Sequence, residues 1–521
     1  MLQLANMAPS THAAALLTVC LLACYMTIPS LAASGEFLQC LSANIPTQLV
    51  VTPSSPSFDS VLVSSIRNPM FFTPTTVRPL CIVMPTNASH VQAVVLCGRR
   101  HDVRVRVRSG GHDYEGLSYR SERPETFAVV DLSNLRAVRV NRLAATAWVD
   151  SGATLGELYY TVAKAVPELA FPAGVCPSVG VGGHFSGGGM GMMMRKYGLP
   201  VDNVIDATLV DANGRLLDKK AMGRDLFWAI RGGGGNFGIV LSWKVKLVRV
   251  PPTVTFFNIR KSIDQGAVNA VAKWQTLAPA LPDELSIRVI VSRDALFQSL
   301  YLGSCGELVT TMSRLFPELG MTSADCLEMS WLESTVYINS GDTKTPLETL
   351  LNRTTSLSTF SRNKSDYVKK AITKDLWEKI FPWFNKTGAG IIILEPHGGR
   401  VGSIADGATP YPHRSGVLYN IQYVAFWTGN GTYAPNWIKG LYDFMEPLVS
   451  KNPRGAYVNY RDLDIGENTV VGGVTSYESG KAWGQKYFGG NFKRLAITKG
   501  KVDAGDYFRN EQSVPPLVSR K

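Results

Sequence analysis

Apolar and polar positions change period several times along this chain, and each change marks an element. The run from Ala13 to Ile28 is almost wholly apolar. It falls short of the roughly 20 residues that a spanning helix needs. The small residues of Pro29-Ser30-Leu31-Ala32-Ala33-Ser34 follow it, so 1–33 reads as a secretory signal, although the usual basic n-region is missing. Short helical patterns fill 35–70. From Pro79 onward β-rich runs alternate with helical ones: Ile82-Val83-Met84 leads into a helix over Ser89–His101. Val103-Arg104-Val105-Arg106-Val107 alternates at a period of two, as a half-exposed strand would. Thr126–Leu132 and Thr146–Asp150 read as further strands, and Thr154–Val166 as a helix opening on a capping threonine. Val204–Val210 reads as a buried strand, turned by Asp211-Ala212-Asn213-Gly214. Pro251-Pro252 marks a domain edge. Beyond it, strands such as Leu285–Val291 mix with helical segments such as Ala267–Ala278, the pattern of an antiparallel sheet backed by helices.

With 521 residues, 45% of them apolar, the chain is long enough for two domains. No second apolar run reaches spanning length. The formal charge of +12 invites a nucleic-acid reading. Scattered basic residues, export and the lack of a binding motif argue against it. Attraction to acidic wall polysaccharide is one consequence of the charge, and solubility alone is the other. Five sequons, at Asn87, Asn352, Asn363, Asn385 and Asn430, suggest a glycoprotein surface, with 352–385 facing solvent. Eight cysteines are present, and Cys20 and Cys24 leave with the signal. An oxidising compartment favours disulfides among the rest. Cys305 and Cys326 are close enough in sequence to pair, and a Cys81–Cys176 bridge stays open as an alternative.

Two glycine-rich stretches carry the chemistry. The first is Arg108-Ser109-Gly110-Gly111-His112-Asp113-Tyr114-Glu115-Gly116, and the second runs from Gly174 through Cys176, Val179, Gly180, Val181, Gly182, Gly183 and His184 to Gly189. Glycines at this density let backbone N–H groups close around a polyanion. No Gly-Lys-Ser/Thr closes either stretch, and the dinucleotide fingerprint spacing is broken. Each stretch also holds one nucleophile, His112 or Cys176.

These stretches, followed by Tyr411-Pro412-His413-Arg414, Asn459-Tyr460-Arg461-Asp462 and Phe508-Arg509-Asn510-Glu511-Gln512-Ser513, resemble the plant berberine bridge enzyme-like flavoproteins. Leu495-Ala496-Ile497-Thr498-Lys499-Gly500-Lys501 is similar to the group 4 grass pollen allergens among them. The resemblance implies an α+β, two-domain flavoprotein. Its FAD-binding domain, of the PCMH type over about 75–250, is bipartite: 34–250 plus a returning segment, 471–521. The substrate domain, 251–470, holds the antiparallel sheet backed by helices. The resemblance further implies FAD joined to His112 and Cys176, and a Cys40–Cys97 bridge. Arg108, Ser109, Gly110 and Gly111 cradle the pyrophosphate, with Ser151, Gly152, Gly180 to Gly183, Gly238, Ile239 and Asn510 nearby. Tyr460 is the implied base, Gln422 and Tyr114 flank the flavin, and no metal takes part. A strand through this segment would point Arg461 away from Tyr460.

Three positions bear on the reaction. Met190 stands where many relatives carry Tyr, and Asn420 where lignin-alcohol oxidisers tend to carry Lys. Val179 occupies the family's oxygen-gate position, where Val resembles oxidases and Ile dehydrogenases; His184 agrees with the oxidase version. The expectation is a secreted or wall-bound monomer oxidising an alcohol or hemiacetal carbon, most readily of a sugar, with O2 or a quinone-like acceptor. A monolignol oxidase and a catalytically idle flavin- or sugar-binding protein are the alternatives.

Overall fold

Three sheets organise the chain in a computed structural model that describes residues 33–355, 357–429 and 431–518. The signal reading and the Asn430 sequon lie outside the described residues. The first sheet has four strands, ordered Val50–Val51, Ile82–Val83, Phe127–Asp131, Arg104–Arg108. Its last three strands are parallel, with the helix Ala88–Arg100 as crossover. The second is antiparallel, ordered Val138–Asn141, Thr146–Asp150, Ile239–Lys246, Val204–Val210, Leu216–Leu217. Gly214, at φ 71°, makes the turn between its last two strands. Thr154 caps the helix Leu155–Ala165 in a reciprocal pair with Glu157.

Alternation fails in one telling place. Arg106 and Arg108 are buried, not half-exposed. Arg106 forks onto Glu511 at 3.0 and 3.1 Å and reaches Glu125 at 2.7 Å. Arg108 is spent on Asp131 and on the carbonyls of Val61 and Leu62. A buried charge survives when it is paired and hydrogen-bonded, and the partners come from distant chain that a local pattern cannot reveal.

The third sheet is antiparallel with seven strands, ordered Leu327–Met329, Val254–Lys261, Ala295–Tyr301, Leu285–Val291, Ile391–Pro396, Tyr419–Trp427, Phe360–Val368. Phe257, Val289, Phe297, Leu394, Ile421 and Tyr423 point to one face. They pack with Trp274, Met312, Trp377 and Trp437 from the covering helices. The other face carries Gln298, Arg288, Glu395, Asn420, Gln422 and Asn363, all buried. Asn363 thus departs from the solvent-facing expectation. It sits in a strand and its Oδ1 accepts from Gln422 at 3.3 Å, whereas Asn87, Asn352 and Asn385 are exposed.

The chain returns to the first core by Ala456, earlier than position 471. Ala456, Val458 and Ile465 pack with Trp483, Leu495 and Val514 against Val149 and Trp243. Glu511 then clamps the tail onto Arg106. Disulfides join Cys40 to Cys97 and Cys305 to Cys326, while Cys81 and Cys176 are free. The alternative bridge is therefore absent. Among the described residues no helix is long and apolar enough to cross a membrane, and no metal-binding cluster occurs.

Candidate active site

A cleft of about 1550 Å³, partly open to solvent, runs between the two glycine stretches and the returning tail. Its walls include Ser109, Gly110, Gly111, His112, Tyr114, Ser151, Val179, Gly180, Gly182, Gly183, His184, Gly238, Ile239, Tyr460 and Asn510, so most of the expected residues converge. The glycines are structural necessities. A Cβ on Gly110 would lie 2.3 Å from the Gly180 nitrogen, and one on Gly111, at φ 70°, 2.0 Å from the Ser65 carbonyl. Only Gly allows so close an approach of the two loops at those angles.

Arg108, Gly152, Cys176, Val181 and Gln422 do not line the cleft. The Arg108 side chain turns inward to Asp131, a Cβ on Gly152 would run into the Leu132 carbonyl at 1.7 Å, and Val181 belongs to the core. The walls also include residues that the motifs do not single out as site residues, among them Arg106, Ser118, Asn236 and Tyr457. Asn236 follows the Gly232–Gly235 run, which was the available signal. Asn459 opens the Tyr460 motif and Tyr457 lies three residues before Tyr460.

His112 and Cys176 meet at one hydroxyl. His112 Nε2 is 3.1 Å and Cys176 Sγ 3.5 Å from Ser178 Oγ. Burial, aided by the Arg67 charge, depresses His112 to about 3. The imidazole is therefore neutral, with a lone pair free to attack an electrophile. His184, depressed to about 4 by burial, accepts from the Gly174 N–H at 3.1 Å.

An aromatic group stands further in. The Tyr460 ring lies 5.8 Å from that of Tyr114 and 5.0 Å from that of Tyr457. Gln422 donates to the Tyr114 hydroxyl at 2.8 Å, which joins the polar face of the seven-stranded sheet to the cleft. Burial pushes Tyr114 up to about 12 and Tyr460 well above the usual phenol range. Tyr114, Glu395 and Tyr457 add to the Tyr460 shift, and Arg288 opposes it. The segment at Tyr460 is a turn and not a strand. Arg461 therefore also lines the cleft, where its Nε donates to Asp113 at 2.8 Å.

Residues 79–219 match the family model of the FAD binding domain, and 456–515 that of berberine and berberine like proteins. A berberine bridge enzyme-like protein of Cynodon dactylon, Cyn d 4, is 61% identical over 487 residues, 93% of each chain. The crystal structure of Phl p 4, a grass pollen allergen with glucose dehydrogenase activity, superposes with a TM-score of 0.92 at 57% identity, over 93% of this chain and 100% of that one. An isoleucine-to-valine variant of Phl p 4, a glucose oxidase, matches at 58% identity with a TM-score of 0.92 and the same coverage. The cleft fits FAD. Ser118 Oγ, Ser151 Oγ and Asn236 Oδ1, on lining residues, are buried without a protein partner, the state of groups that a ligand completes. A Cβ on Gly183 would meet nothing within 4 Å, leaving room beside them. Fold, cleft and comparisons agree: the chain belongs to the berberine bridge enzyme-like family of FAD-linked oxidoreductases.

Proposed function

We propose that this chain is a secreted carbohydrate oxidase that converts the hemiacetal or alcohol carbon of a sugar such as glucose to the carbonyl level, releasing hydrogen peroxide from dioxygen. Bound FAD supplies the hydride acceptor. His112 and Cys176 hold it covalently, Ser109 to Gly111 and Gly180 to Gly183 hold its phosphates, and Ser118, Ser151 and Asn236 use their free polar atoms on it. The observation that carries the reading is the convergence of two nucleophiles on Ser178, one of them His112, which lines the cleft together with Tyr460.

Tyr460 draws the donor's hydroxyl proton as the carbon gives up hydride. Burial opposes its ionisation and Arg288 assists it, so turnover rises with pH. Gln422 fixes the Tyr114 hydroxyl, and together they orient the donor for near-attack geometry. The polar sheet face, with Arg288, Glu395, Asn420 and Gln422, suits a hydroxyl-rich donor better than a phenylpropanoid. Asn420 and Met190 remove the groups associated with monolignol oxidation. The glucose activity of Phl p 4 supports a sugar donor, and the glucose oxidase made by placing valine for isoleucine supports dioxygen as acceptor, given Val179 in the cleft wall.

The test is anaerobic mixing of purified holoprotein with glucose, other sugars and phenylpropanoid alcohols, followed by re-aeration. Bleaching of the flavin by a sugar and peroxide on re-aeration are expected. Bleaching by phenylpropanoids alone favours the monolignol oxidase, and no bleaching by any donor favours the idle protein.

A further inference from the structure

The antiparallel sheet that runs from Val138–Asn141 to Leu216–Leu217 has one buried face and one open face. Ala147, Val149, Trp243, Val245, Ala207 and Leu209 fill the buried face. On the open face Arg139 pairs with Trp148, Trp148 with Lys244, and Lys244 with Asp206, one unbroken row across four strands. A second row sets Asn141 against Thr146 and Thr146 against Lys246. The two tryptophans of adjacent strands make the contrast plain. Trp243 is wholly buried in the core, whereas Trp148 is half-buried and belongs to no hydrophobic cluster. Among the described residues its indole N–H has no partner, and neither Lys244 nor Lys246 has an ion-pair partner.

The charge on this face is lopsided. Asp150 is neutralised by Arg139 at 2.6 Å. Asp206 accepts from the N–H groups of Ala207 and Lys219. Lys244 stands 5.9 Å from the Trp148 ring, with Lys246 exposed beside it and Arg142 exposed at the adjoining hairpin tip. Strands lie about 4.8 Å apart, so Lys244 stands one strand from the indole, and Lys246 stands beside it next to the hydroxyl-bearing Thr146.

We propose that this face docks an acidic polysaccharide, a uronate chain laid across the row Arg139, Trp148, Lys244 with Lys246 alongside. A sugar ring rests on the exposed indole face, its hydroxyls meet the indole N–H, Thr146 and Asn141, and carboxylates of neighbouring units meet the lysines. A single half-buried indole beside unpaired lysines suits a sugar polyanion better than a duplex or a bilayer. The physiological setting rests on the extracellular reading above; the binding itself is independent of the flavin chemistry.

The experiment uses full-length holoprotein with polygalacturonate in calorimetry at low and physiological salt. Fully methyl-esterified pectin, duplex DNA and vesicles containing anionic lipid are run beside it. Binding to polygalacturonate is expected, with little to the esterified chain. The pair Lys244→Gln/Lys246→Gln and, separately, Trp148→Thr should each weaken it about tenfold, equivalent to about 1.4 kcal/mol. Melting temperature and glucose turnover should stay unchanged, so that loss of docking is separable from failure of the redox reading. No binding at low salt overturns the proposal. So does equal binding of esterified pectin, DNA or vesicles, or wild-type affinity in the folded variants.

Discussion

The two faces of the seven-stranded sheet differ in kind, one apolar and one polar. One face presents Phe257, Val289, Phe297, Leu394 and Ile421 to covering helices, and the other presents Arg288, Glu395 and Gln422 toward Tyr460 and Tyr114. Successive side chains of a strand point to opposite faces, so residues next to each other in sequence serve different ends. Apolar burial on the helix side stabilises the fold; polar burial on the other side costs stability, and in the proposed function it serves recognition. The lesson is that stability and chemistry here are separable one position at a time.

The widest separation comes from Tyr460→Phe. Loss of a proton acceptor costs about 10²- to 10⁴-fold in rate, with the melting temperature unmoved. Stopped-flow flavin reduction and calorimetry on one preparation check both halves. Phe297→Ala is the converse, removing about 3–5 kcal/mol of stability by opening a cavity while the reduction rate of folded protein is kept. Denaturant melts read the loss, and an equal fall in reduction rate would break the comparison.

The tail clamp gives a smaller, pH-dependent effect. Burial pushes the Glu511 carboxyl up, but Arg106 outweighs it and holds the group at about 2, against 4.5 for an ordinary Glu. A depressed carboxylate contributes stability that is complete above about pH 4.5 and is lost as pH falls through about 2. Glu511→Gln should therefore lower stability at pH 7 by about 3 kcal/mol and flatten the acid limb of the stability curve. Glu115 works in the opposite sense: burial raises it to about 7, so its contribution is greatest below about pH 4.5 and fades as pH rises through about 7. The Glu511→Gln variant isolates the first slope from the second. The smallest structural change is Val179→Ile, for which no stability loss is expected but slower reoxidation by dioxygen; oxygen-electrode traces at equal flavin reduction decide it.

Much of this arrangement was legible in the sequence, because glycine density and short motifs are local signals. The loops at Gly110 to His112 and Gly180 to His184 approach each other closely, and the Thr154 cap is readable in the sequence, with Glu157 completing it in the structure. Long-range pairing was not. Arg106 falls on the half-exposed side of an alternating strand until Glu511 comes to meet it, and Arg108, expected at the pyrophosphate, is instead spent on Asp131. Asn363 looked like a surface sequon because nothing local shows that its strand turns toward Gln422. Peptide mapping should find Asn363 without glycan. Ser178, the hydroxyl that touches both nucleophiles, lies two residues past Cys176 in the second glycine stretch; only the fold brings His112 to it.

Mass spectrometry of proteolytic peptides from the purified protein tests the central claim most directly. The peptides bearing His112 and Cys176 should both carry flavin mass, and neither His112→Ala nor Cys176→Ala alone should release the flavin completely on acid precipitation. Unmodified His112 and Cys176 peptides, with the flavin freed by acid, would contradict the account.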